Sequence, residues 1–206
     1  MVKNKKLFVV AISIILLLFF PATKRIIGQQ NATVTVNATI NTVLVFEVDG
    51  TDADNTYAAA ETVDYGTVDP DGTATVGGDF AGLAGTPYGG PPTVGAYYDV
   101  YAANGGNDHN GHANAALGIH VKSNKLWDLD VTAALVGDAS VTIGQLFWQD
   151  DSSPGWTAFT AASQNIYTNH ARGNNYEFHD YRLQVEYTDE PGAYTWTLTY
   201  TVTQVP

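Results

Sequence analysis

The sequence predicts an all-β protein: an antiparallel β-sandwich or jelly roll with an N-terminal donor strand and one or two short helices. Three observations predict it. Apolar and polar residues alternate with period two through most of the chain beyond residue 30. Gly, Pro, Thr, Asn and Asp interrupt that alternation at short intervals, as turns between strands do. The 206 residues are 45% hydrophobic and 12% aromatic with only 15% charged, enough apolar side chain for one compact core and too little charge for a disordered chain.

In chain order, Lys3, Lys5 and Lys6 precede an apolar run from Leu7 to Phe20. As a helix this run is about 21 Å long, short of the ~30 Å hydrocarbon core. A basic start with a short apolar stretch is the pattern of a secretory signal peptide, expected to end at Gly28. The expected division is therefore a signal peptide over 1–28, a donor strand over 29–40 and a sandwich domain over 41–206. Within the domain, Tyr57 to Thr62 and Thr157 to Tyr167 read as short helices. Val63 to Val68, Tyr97 to Tyr101, Leu117 to Val121, Trp127 to Val131 and Val141 to Phe147 read as strands. Tyr181 to Tyr187 and Tyr194 to Thr203 alternate cleanly and, with Asp189, Glu190, Pro191 and Gly192 between them, read as an antiparallel hairpin. The Gly- and Pro-rich segment Asp79 to Gly95 and the Asn- and Gly-rich segment Ala102 to Ala115 read as insertions at the sandwich rims.

Ala32 to Val48 is the most informative segment. Its even positions, Ala32, Val34, Val36, Ala38, Ile40, Thr42, Leu44, Phe46 and Val48, are nearly all apolar. Its odd positions begin Thr33, Thr35, Asn37, Thr39 and Asn41. As one strand it would span about 56 Å, whereas strands in globular domains usually run ~3–10 residues. Two arrangements resolve this. The strand bends near Asn41 and shares its halves between the two sheets of one sandwich. Alternatively Ala32, Val34, Val36, Ala38 and Ile40 leave the domain and enter the groove of a neighbouring copy. Backbone pairing with alternate side chains seated in pockets is strand addition, and because arm and groove are different surfaces the contact propagates head to tail into a filament.

Charge and cysteine content exclude other classes. Residues 29–206 hold four Lys and Arg against 21 Asp and Glu, a formal charge of −17. Such a surface repels nucleic acid and anionic membranes, so no nucleic-acid partner and, after signal cleavage, no membrane partner is expected. With no cysteine, neither a disulfide framework nor a thiolate metal site is available. No Gly-x-Ser-x-Gly elbow and no phosphate-binding glycine loop is present, and the reading is not an enzyme.

Calcium is the one cofactor the composition suits, since it takes several oxygen ligands. Asp49, Asp52 and Asp54 lie in one loop, and Asn104, Asn107 and Asp108 in another. Asp52-x-Asp54-x-Thr56 begins like an EF-hand loop, but Tyr57 stands where Gly is needed and Val63 where Glu is needed. His109 and His112 beside Asp108 offer transition-metal ligand types, but a solvated Gly- and Asn-rich loop is the expected reading of the segment. Phe147, Trp148 and Trp156, flanking Asp150, Asp151 and Gly155, suit either a sandwich core or a platform for sugars. Asn31-Ala32-Thr33 and Asn37-Ala38-Thr39 are N-glycosylation sequons, with both asparagines on the polar face of the arm.

Three segments together carry a resemblance. They are the strand Asn31 to Val48, the segment Val63-Asp64-Tyr65-Gly66-Thr67-Val68-Asp69-Pro70-Asp71-Gly72-Thr73, and the closing Pro191-Gly192-Ala193-Tyr194-Thr195-Trp196-Thr197-Leu198-Thr199-Tyr200-Thr201-Val202. The chain resembles the secreted fibre subunits of the TasA and camelysin group, including archaeal bundling pili. The likeness covers about a third of the chain. It implies a secreted jelly-roll subunit polymerised with copies of itself by donor-strand exchange, serving adhesion and biofilm matrix, with neighbouring filaments or cell-surface glycans as further partners. Archaeal cannulae, tubes that add calcium to a similar strand exchange, are the second resemblance. A secreted carbohydrate-binding module is the alternative from another class.

Overall fold

A computed structural model describes residues 37–50, 56–73, 83–90, 92–101, 106–112 and 114–206. The expected signal peptide, Asn31, Ala32, Val34 and Val36 of the arm, and Asp52, Asp54 and Asn104 lie outside the described residues. The chain divides into two units, Met1–Ile40 and Asn41–Pro206. Of the first, residues 37–40 are described; they are exposed and have no regular structure.

The second unit is an all-β sandwich. Its strands are β1 (Leu44–Asp49), β2 (Thr86–Tyr88), β3 (Gly95–Val100), β4 (Asn107–Asp108), β5 (Asn114–Ala115), β6 (Leu117–Ser123), β7 (Trp127–Val136), β8 (Leu146–Asp150), β9 (Ser153–Ala158), β10 (Gln164–His170), β11 (Gly173–Glu186) and β12 (Thr195–Gln204). All pairings among them are antiparallel. The larger sheet is organised by β11. Its first half pairs with β6 and its second half with β3, while His179–Leu183 pair with β8. His179 pairs with β6 and β8 at once, and Tyr181–Leu183 with β3 and β8 at once. So β6 and β3 follow one another along one edge of β11, and β8 holds the other. β1 extends the sheet beyond β6, β2 beyond β3 and β9 beyond β8.

The smaller sheet has three strands in the order β10-β7-β12. Period-two alternation delivers Trp127, Leu129 and Val131 of its central strand into the interior, fully buried. They meet Ile119, Val121, Tyr181 and Leu183 from the larger sheet, together with Phe159. The Trp127 indole N–H, which would be orphaned there, donates to Ala171 O at 2.9 Å.

Five local readings are corrected. Tyr57–Thr62 and Thr157–Tyr167 are not helical; the first is irregular, and the second is the end of β9, a turn and the start of β10. There Gln164 donates from Nε2 to Ala158 O and accepts at Oε1 from Thr160 N, so side-chain bonding and strand pairing override the helical propensity of the Ala-rich stretch. Among the described residues, helix is confined to two three-residue 3-10 turns, His109–Gly111 and Ile143–Gln145. Because of the second, the strand expected from Val141 begins only at Leu146. Val63–Val68 is not a strand either: Gly66 N donates to Asp64 Oδ1 at 2.8 Å and Gly66 has φ +63°, a turn that breaks the pleat, although Val63, Tyr65 and Val68 still pack on the core. A turn follows at Asp69–Gly72, with Thr73 N donating to Asp69 Oδ1 at 3.0 Å. Finally, β11 and β12 are not a hairpin. β12 pairs with β7, and the two strands meet across the interior, where the Tyr181 and Tyr200 hydroxyls lie 2.9 Å apart. Both present an apolar row, and burying the rows against each other favours facing sheets over edge pairing.

Candidate functional site

The long, regular edge of β12 is the first candidate. All ten of its residues pair in unbroken register with β7 on one side, and the other side has no partner strand among the described residues. Its sequence, Thr-Trp-Thr-Leu-Thr-Tyr-Thr-Val-Thr-Gln, holds no charge, Pro or Gly. Exposed edges are usually blunted by such residues or by bulges. Other edge strands here show this: β10 has two register shifts, β9 carries Pro154 and a shift, β2 carries Pro87, and β1 carries Glu47 and Asp49. The inward row of β12, Trp196, Leu198, Tyr200 and Val202, is only half-buried, whereas the equivalent row of β7 is closed. The Trp196 indole nitrogen is buried with no hydrogen-bond partner.

Gln204 fixes where this edge lies relative to the chain entry. Its Nε2 donates to Val43 O and to Ser123 Oγ at 2.9 Å. Asn124 clasps the same segment, donating to Asn41 O at 2.8 Å and accepting from Val43 N at 3.0 Å. The chain therefore enters the domain at the C-terminal end of β12. Of the five predicted arm residues, Ala38 and Ile40 are described, and both are exposed, Ile40 at 85%. The sequon residue Asn37 is also exposed.

The two acidic loops predicted as separate calcium ligands come together. Asn107 Nδ2 donates to Gly50 O at 3.3 Å, and Asp49 Oδ2 lies 3.0 Å from Nδ1 of His109, both side chains fully buried. His109 Nε2 lies 3.1 Å from Ala115 O. Both ring nitrogens thus lie within hydrogen-bond distance of an oxygen. Asp108 Oδ1 accepts from Gly111 N at 2.9 Å and closes the 3-10 turn. His112 instead stacks on Tyr176 with centroids 4.2 Å apart, so the two histidines do not converge. Among the described residues no group of three His, Asp or Glu is arranged around a common point for a metal.

A third feature joins the sheets on the opposite flank. A cleft of about 330 Å3 opens between the β8–β9 hairpin and β10, lined by Trp148, Asp150, Ser153, Pro154, Gly155, Thr157, Ile166 and Tyr167. Trp148, Asp150 and Gly155 were singled out in the sequence; Trp156 faces away, covering the Arg182 guanidinium 4.4 Å from its ring centre. At the base, Tyr167 OH donates to Asp150 Oδ2 at 2.6 Å and lies 3.3 Å from His179 Nε2. His179 Nδ1 lies 3.5 Å from Tyr200 OH. Burial alone would raise the Asp150 pKa. The hydrogen bonds from the Ser152 hydroxyl, Tyr167 and the Ser152 amide, with the field of His179, hold it below the usual value. Burial drives His179 down to about 4, against the pull of Asp150. The carboxylate is thus ionised and the imidazole neutral at pH 7. His179 was not predicted as functional, yet the signal was present: it shares inward parity with Tyr181, Leu183 and Val185.

Compared with protein-family models, curated proteins and solved structures, the chain matches none of them. The likeness to fibre subunits rests on the residues quoted for it.

Proposed function

We propose that the chain is a non-enzymatic structural subunit of a secreted, extracellular filament, joined head to tail by donor-strand complementation and serving adhesion or biofilm matrix. The observation that supports this most directly is the ten-residue, uncharged, bulge-free edge of β12 with a half-buried apolar row behind it. The arm has the matching pattern, with Ala32, Val34, Val36, Ala38 and Ile40 on one face. A neighbour's arm laid along β12 gives its free N–H and C=O groups partners and covers that row. A calcium-dependent tube of the same fold is the second reading, favoured by the −17 formal charge of residues 29–206 that copies must screen to assemble.

Electron microscopy of the chain with and without residues 29–40, each with calcium and with chelator, tests both. The truncated protein is expected to remain monomeric, and added peptide of residues 29–40 to bind it and raise its Tm, by an amount equivalent to about 2.7 kcal/mol at a hundredfold excess over Kd. Filaments formed by the truncated protein overturn the donor-strand reading. Assemblies of the intact chain that persist unchanged in chelator remove calcium from the mechanism.

A further inference from the structure

We infer that the cleft between the β8–β9 hairpin and β10 is a binding subsite for a neutral pyranose sugar, independent of the assembly edge. Its volume of about 330 Å3 lies at the lower end of the ~300–1,000 Å3 range of small-molecule sites. Its walls combine the surfaces such a ring presents. Trp148, Tyr167 and Ile166 offer apolar and aromatic area for the C–H face. Asp150, Ser153 and Thr157 offer oxygen for the hydroxyls. The principal acceptor is rigid before any ligand arrives: Asp150 Oδ1 accepts from Ser152 N at 2.7 Å and from Ser152 Oγ, and its Oδ2 from Tyr167 OH at 2.6 Å. Tyr167 is itself steadied by His179, against which Trp148 packs with ring centres 5.1 Å apart. Preorganisation of this kind lowers the ordering cost of binding.

The same chemistry decides against other occupants. An ionised Asp150, among residues 29–206 of formal charge −17, repels phosphorylated and acidic sugars. A strand such as the arm, although β9 and β10 are both sheet edges, would bring Val34 and Val36 against that carboxylate and desolvate it unpaired. β9 and β10 are also the edges interrupted by Pro154 and by register shifts, which disfavour continuous backbone pairing.

Gly155 supplies a clean test. It lies on the cleft-lining side of β9 with Ser153 and Thr157, and a Cβ added there meets nothing within 4 Å. Gly155→Trp therefore starts from a Cβ that meets no neighbour and directs its ring towards the cleft. The experiment is saturation-transfer NMR of the full-length protein with methyl glucoside, methyl galactoside, methyl mannoside and N-acetylglucosamine, followed by titration. At least one glycoside is expected to show saturation concentrated on one ring face. Gly155→Trp should abolish it at unchanged Tm, and Asp150→Asn should weaken binding about tenfold, the loss of one hydrogen bond to a charged acceptor. No saturation from any of the four sugars overturns the proposal, as does saturation that survives Gly155→Trp. Peptide 29–40 bound by wild type and lost in Gly155→Trp also overturns it and assigns the cleft to strand exchange.

Discussion

Replacing Val34 and Val36 together by Asp is expected to abolish filament formation, whereas replacing Thr33 and Thr35 by Asp leaves filaments largely intact. The two pairs interleave in the same short segment and add the same charge. They differ only in parity, so the contrast isolates which face of the arm is buried. Fully burying a Val side chain is worth roughly 1.5–3 kcal/mol. Losing two such contacts weakens arm and groove by roughly 10²–10⁴-fold, and a carboxylate facing the half-buried row of Trp196, Leu198 and Tyr200 adds a desolvation cost. Sedimentation and negative-stain microscopy read the result. Filaments of normal length from the Val34→Asp, Val36→Asp chain would refute burial of that face.

His109→Ala should be the most destabilising single change in the loop region, costing roughly 2–5 kcal/mol through the lost buried ring and the cavity it leaves. Its ring fills a fully buried site between Asp49 and Ala115 O. It packs so closely over Gly118 that a Cβ there would come within 2.9 Å of the imidazole. Removing it takes a hydrogen-bond partner from the buried Asp49 carboxyl and opens a cavity beside it. The double variant Asp49→Ala, His109→Ala should therefore cost clearly less than the sum of the two single changes. Urea denaturation of the four proteins measures this. Additive losses would show that the two groups do not act as a pair.

The strands with strict alternation were legible: β3, β6, β7, β11 and β12 follow the period-two pattern because each buries one face. Pairing was not. Tyr181–Val185 and Trp196–Val202 look like a hairpin because they are neighbours in sequence with a turn between them. Alternation fixes which face is buried, not which strand lies alongside. The false helix at Thr157–Tyr167 has a similar origin, since Ala-rich propensity is local and the pairing with β8 and β7 is not. In the candidate sites, Trp148 and Asp150 were readable as a platform, but Ser153, Thr157, Ile166 and Tyr167 reach the cleft only through the packing of β9 and β10. The Asp49–His109 pair joins positions sixty apart, and no local signal in either loop reports it.

His179 and Asp180 are adjacent in β11, and the pleat sends them to opposite faces of the sheet. Burial, with Asp151, Asp150 and Asp99 nearby, raises Asp180 to about 6 despite the bond from Gln149, while His179 falls to about 4. Between these values the native chain holds a protonated Asp180 and a neutral His179, and the unfolded chain holds the reverse. The signs are opposite. Asp180 makes stability fall as pH rises from about 4 to about 6, and His179 makes it rise from about 4 to about 6.5, each by on the order of 1–3 kcal/mol. Unfolding in this window therefore moves a proton from one residue to its neighbour and exchanges almost none with solvent through this pair. Asp180→Asn should unmask a stability that climbs with pH, relative to wild type, in thermal melts from pH 4 to 7; parallel profiles for the two proteins would refute the exchange. A dipeptide step in one strand thus acts as an internal proton ledger, its two contributions to stability opposing one another in mild acid.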